Sequence, residues 1–139
     1  LTILGAMENT LSRDEGWGYL KSGEAMERTQ HTIFVLKARL PIMEQWAGSM
    51  DSPISHAAWR SVLRSVASLE NYRQVYGPRF EEADVIRFLV FDNATPRSVN
   101  TGVRRIVGYL RQMASDGRNI PTAARYMGKA AAKLEFEQE

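Results

Sequence analysis

The sequence contains no cysteine, which excludes disulfide staples, thiolate nucleophiles and thiolate metal sites, and which suits a reducing compartment such as the cytoplasm. No apolar run approaches the ~18 residues of a membrane span, so no transmembrane segment is expected. Histidine is scarce: a di-iron bundle needs two Glu-x-x-His pairs, but Arg28 stands three residues before His31, and His56 has no acid at that spacing. No metal and no cofactor is therefore expected. Phosphate-cradling Gly-rich loops and a Gly-x-Ser-x-Gly elbow are also missing, which removes the commonest nucleotide-binding and hydrolase signatures. The first residues, LTILGAMENT, lack both an initiating Met and the basic start of a signal peptide, and read as an internal cut in a longer protein.

What remains is ordinary globular composition, 44% hydrophobic and 24% charged, on 139 residues, enough for one domain over 1–139. The net charge of +2 is unevenly spread. Residues 97–133 carry eight basic groups against Asp116 alone, a net of +7, while the last six residues carry −3 and residues 1–96 carry −2. Such a basic segment attracts anions.

Helical periodicity dominates and no stretch alternates as a strand does. A short helix is expected over about 2–10. Ser12 and Glu15 then read as a capping box that opens a long helix over about 13–46, with Pro41 kinking it or ending it a turn early. After the loop GSMDSP a third helix is expected over about 54–76, stopped by Gly77-Pro78. Further helices are expected over about 81–90, 97–114 and 121–136, the last two separated by Asp116-Gly117. The expected fold is all-α, an antiparallel bundle of about five to six helices.

Charge stands where hydrocarbon is expected. At 100° per residue, Trp17, Leu20, Val35, Ala38, Ile42 and Trp46 share a sector of roughly 80° on the long helix, the width of a buried face. Glu24, Arg28 and His31 project into that sector, and Glu27 lies at its edge. Glu24–Arg28 and Glu27–His31 are both spaced i,i+4, so each acid has a same-helix partner. On the third helix Glu70 and Arg73 likewise fall among Trp59, Val62, Leu63, Val66 and Leu69. Charge inside a core is costly unless paired, so this cluster is either an ion network that sets helix register or a site. Guanidinium groups there suit carboxylate or phosphate recognition. Arg97, Arg104 and Arg111 form a separate stripe at seven-residue spacing. It lacks the aromatic interleaving and helix-turn-helix pattern of a nucleic-acid surface, which leaves a solvated face or a dock for an acidic protein.

Three ordered motifs in these same segments resemble one family. Arg13-Asp14-Glu15-Gly16-Trp17, followed by Leu20, Gly23 and Met26-Glu27-Arg28, resembles the RDEGW…LG…ER signature of the Alpha-E domain family, bacterial all-helical proteins named for a Glu-Arg motif. Ser68-Leu69 with Tyr72-Arg73 and Tyr76 is similar to its SL..YR..Y segment, and Pro96-Arg97-Ser98-Val99 to its NPRS turn, with Thr95 where Asn is usual. The resemblance implies that this chain is the C-terminal part of such a protein, a second Glu-Arg motif lying on a helix outside it. It implies as partners an ATP-grasp-type ligase or a transglutaminase-like protein, and hence an accessory role in peptide modification. It also implies a candidate site of Glu27, Arg28, Tyr72, Arg73, Tyr76 and Arg97, to which the charge pattern adds Glu24, His31 and Glu70. The leading expectation is a domain binding a carboxylate-bearing peptide, an anionic molecule or the ligase through Glu27, Arg28 and Arg73. Two others stand beside it: an enzyme with Glu27 as general base, and a structural bundle that forms homo-oligomers.

Overall fold

A computed structural model describes residues 15–45, 53–115 and 121–137. The expected helix over 2–10, the Ser12 cap, Trp46 and the GSMDS portion of the first loop lie outside these residues. The described residues form an all-α bundle of six helices: α1 (Glu15–Glu44), α2 (Pro53–Ser65), α3 (Leu69–Tyr76), α4 (Glu82–Phe91), α5 (Val99–Ser115) and α6 (Pro121–Phe136). Helix α1 continues a turn past Pro41.

The most extensive packing in the bundle is between α1 and α5, and α6 packs on an adjacent face of α5 through Val99, Val103 and Val107. Small and β-branched side chains make this seam. Ser22, Ala25, Thr29 and Thr32 of α1 are all buried, at the alternating spacing of three and four that keeps one helix face in contact. A Cβ added at Gly102 of α5 would lie 1.9 Å from the Thr29 hydroxyl oxygen, and one added at Gly18 of α1 would lie 3.0 Å from Met113. The two backbones thus approach as closely as glycine permits. The Thr29 hydroxyl is satisfied locally, donating to the Ala25 carbonyl at 2.7 Å.

The seam corrects the expected orientation of α1. Its buried face is Gly18, Ser22, Ala25, Thr29, Thr32, Leu36 and Met43, centred roughly 120° from the expected sector, of which Val35 alone among the described residues is buried. Ala38 and Ile42 are exposed, and Trp17 and Leu20 only half-buried.

A second correction concerns the expected helix over 54–76, which is two helices. The chain turns at Val66–Ser68, where Ala67 takes the left-handed conformation (φ 53°) and the Ser68 amide donates back to the Leu63 carbonyl at 2.9 Å. In one continuous helix Tyr72 would point roughly 120° away from the Trp59–Val66 face. The break re-phases the chain so that Tyr72 enters the core and Glu70 and Arg73 leave it. Tyr72 is fully buried, stacked on Tyr76 (5.0 Å) and Phe80 (5.5 Å), with Phe88 edge-on at 5.4 Å. Around this cluster Trp59, Val62, Leu63, Val66, Val85 and Leu89, with Val35, Leu36 and Met43 of α1, complete the main core, each contributing about 1.5–3 kcal/mol by burial. The Tyr72 hydroxyl donates to the Arg79 carbonyl at 3.1 Å. Burial first, and then the nearby Asp84 carboxylate, push its pKa up to about 12.

Two measurements follow from this packing. Gly102→Ala drives a methyl group into Thr29 and is expected to cost about 1–3 kcal/mol, read as a lowered Tm. Adding Thr29→Ala should restore part of that loss, giving a positive coupling in a double-mutant cycle. The Tyr72 phenol stays protonated in the folded chain at pH values where the unfolded chain ionises. Its stabilising contribution is therefore complete below pH 10 and is lost as pH rises from 10 to about 12, a change on the order of 2–3 kcal/mol. Tyr72→Phe should flatten that part of the stability–pH curve.

Candidate functional site

The rotation of α1 places the charged cluster along the edge of the α1–α5 seam. There Glu24, Glu27, Arg28, His31 and Phe34 of α1, with Arg97 from the α4–α5 connection, line an open groove of about 600 Å³. This corrects the expectation that the cluster faces the interior. Glu24 and Arg28 are half-buried, with side chains 22% and 40% exposed, while Glu27 and His31 are exposed.

Glu24 is saturated. Its carboxylate accepts from the Lys21 ammonium at 3.1 Å and, through its other oxygen, from the Arg28 guanidinium. The expected Glu27–His31 pair does not form: His31 Nε2 instead donates to the Ser65 carbonyl at 3.1 Å, joining α1 to the end of α2. Among the described residues, neither the Glu27 carboxylate nor the Arg97 guanidinium has an ion-pair partner. The groove therefore presents one acceptor and one forked donor with their hydrogen-bonding capacity unspent.

Arg97 reaches this place because its backbone is held from both sides. The Thr32 hydroxyl, fully buried, donates to the Arg97 carbonyl at 2.8 Å. On the other side the Ser98 hydroxyl caps α5 by accepting from the Thr101 amide at 3.1 Å, and it donates to the Asp92 carbonyl. An Asp92 carboxylate oxygen accepts from the amides of Ala94 (2.8 Å) and Thr95. Buried Asn100 ties the turn to α4, donating to the Phe91 carbonyl (3.0 Å) and to Asn93 Oδ1 (2.7 Å). The turn motif is thus a scaffold, and the residue it displays is Arg97.

The remaining expected site residues lie elsewhere. Tyr72 is core. Glu70 and Arg73 pair with each other at 3.0 Å on the surface, and the Arg73 guanidinium lies over the Phe80 ring, 5.9 Å from its centre. Tyr76 lines a separate hollow of about 600 Å³ with Arg87, Phe91, Asp92, Asn93 and Glu137. Arg104 and Arg111 are exposed on α5, and Arg104 leans toward Glu135 of α6 at 3.8 Å. Sequence reasoning missed Thr32 and Phe34. Thr32 was legible as the continuation of the small-residue spacing through Ser22, Ala25 and Thr29. Among the described residues no group of three or more acids or histidines is placed to hold a metal ion, and no helix is long and apolar enough to cross a membrane.

Comparison with curated proteins and with solved structures finds no match. The family comparison does: the family described as Alpha-E, a predicted alpha-helical domain with a conserved ER motif, matches residues 1–139. The sequence contains a single Glu-Arg dipeptide, Glu27-Arg28, and both residues stand on the groove wall. The chain belongs to the Alpha-E family.

Proposed function

We propose that this chain is an accessory binding domain of a peptide-modification system, working in the bacterial cytoplasm beside an ATP-grasp-type ligase or a transglutaminase-like protein. Its groove holds a ligand that carries a carboxylate. One observation carries this reading: the chain's only Glu-Arg pair lines an open groove together with Arg97, whose guanidinium is unpaired among the described residues. A planar guanidinium takes a carboxylate in two parallel hydrogen bonds, and Glu27 can accept the N–H adjoining that carboxylate. Arg73 drops out of the binding set because it lies over Phe80.

Catalysis is the second reading, favoured by one fact: the groove is open beside exposed Glu27, so substrate and water both reach the carboxylate that would serve as base.

An NMR titration of the ¹⁵N-labelled protein separates these readings. The titrants are short peptides with a free C-terminal carboxylate and their amidated counterparts. Shifts are expected to cluster at residues 24–34 and 97 for the free carboxylates only. Arg97→Met and Arg28→Met should each weaken binding about tenfold, the loss expected when a charge-assisted pair worth ~1.5 kcal/mol is removed, while Arg73→Met leaves it unchanged. Unaltered affinity in both groove variants would overturn the site. Hydrolysed or conjugated peptide in the same tubes, seen by mass spectrometry and absent with Glu27→Gln, would favour catalysis. Self-association by light scattering, with no peptide shifts, would favour the oligomerising bundle.

A further inference from the structure

The groove does not end at Phe34. A second depression of about 280 Å³ begins on the same ring and is lined by Phe34, Val35, Ala38, Arg39, Ile42 and Ser65. The hydrogen bond from His31 to the Ser65 carbonyl joins a residue of the first hollow to one of the second. From Glu24 to Ile42 the two run along roughly 27 Å of α1.

Their chemistry changes along the way. The Glu27–Arg97 end is charged. The far end is apolar, with Phe34 70% and Ile42 44% exposed over buried Val35. Exposed apolar side chains beside a hollow flanked by polar groups are suited to seat the apolar side chains of a ligand. Charge says what kind. Among the residues that line the two hollows, Arg97 in the first and Arg39 in the second lack an ion-pair partner, against one acid, Glu27, without one. The surface thus asks for apolar side chains accompanied by carboxylates.

We infer that the occupant is an extended acidic peptide whose C-terminal carboxylate meets Arg97 and whose apolar side chains lie on Phe34 and Ile42, with an acidic side chain toward Arg39. This rests on the first groove being a carboxylate site and adds what lies beyond it. Phe34 and Ile42 are eight residues apart on a helix, roughly 12 Å, which an extended chain covers in about four residues. An even spacing puts both apolar side chains on one side of the peptide.

The test uses two fluorescently labelled peptides with free C-termini, Leu-Ala-Glu-Ala-Leu-Ala-Gly and Ala-Ala-Glu-Ala-Ala-Ala-Gly, titrated with the 139-residue chain by anisotropy. The leucine peptide is expected to bind at least tenfold more tightly. Ile42→Ser, an exposed position, should bring the two affinities together with the circular dichroism spectrum unchanged, and Arg39→Met should weaken the leucine peptide several-fold. Equal, carboxylate-dependent binding of both peptides would overturn this inference and leave the first groove's role intact. Binding of neither would overturn both. A dimer that Ile42→Ser dissolves would show that a second copy of the chain covers the surface, and would overturn the inference as well.

Discussion

The approach of α1 to α5 at Gly102 governs the rest of the structure. With the Thr29 hydroxyl oxygen 1.9 Å from where a Cβ would stand, no other residue fits there unless Thr29 or its helix shifts. The contact fixes how far apart the two helices lie and also how α1 is rotated. Once Ser22, Ala25, Thr29 and Thr32 are turned toward α5, Glu24, Arg28 and His31 are carried to the edge of the seam. Thr32, next in that row, then reaches the Arg97 carbonyl. The packing contact and the assembly of the groove are consequences of one helix phase.

That phase was hard to read from residue types because the stabilising face is not the most hydrophobic one. Burial of Gly, Ser, Ala and Thr removes little apolar area, and their value here is close backbone approach rather than transfer free energy. Meanwhile α1 leaves Tyr19, Met26, Phe34 and Ile42 in solvent, so a search for large apolar side chains settles on the wrong side. The evidence for the correct side was nevertheless present as spacing: 18, 22, 25, 29, 32 and 36 alternate by four and three. On α5 both readings coincide. There the apolar periodicity runs through Val99, Val103, Ile106, Val107, Leu110 and Met113, all buried except half-buried Leu110.

The break at Ala67 illustrates a different limit. Neither glycine nor proline marks it, and left-handed alanine is uncommon. Periodicity through Trp59, Val62, Leu63 and Val66 extrapolates smoothly into the wrong phase. What decides the matter is tertiary: stacking Tyr72 between Tyr76 and Phe80, with its hydroxyl satisfied at Arg79, outweighs the local cost of the turn. The helices over about 81–90, 97–114 and 121–136 and the Gly77-Pro78 stop were legible, because local chemistry specifies them. The grouping of Glu27, Arg28 and Arg97 was legible only as a set of residues, since their meeting depends on a hydrogen bond between Thr32 and a backbone 65 positions away.

The placement of the Glu-Arg pair also bears on what the pair is for. Were these residues buried and mutually paired, register or fold specificity would account for them. Instead Glu27 is exposed and unpaired among the described residues, and Arg28 shares an already occupied Glu24 at a half-open site. Ion pairs of that exposure contribute about 0–1 kcal/mol, little beside the aromatic core. A motif that characterises the family yet adds so little to folding supports the proposed binding role. The surrounding structure is consistent with that: the 92–98 turn uses Asp92, Ser98 and Asn100 to hold its own backbone, and leaves the one long cationic side chain, Arg97, unspent at the groove.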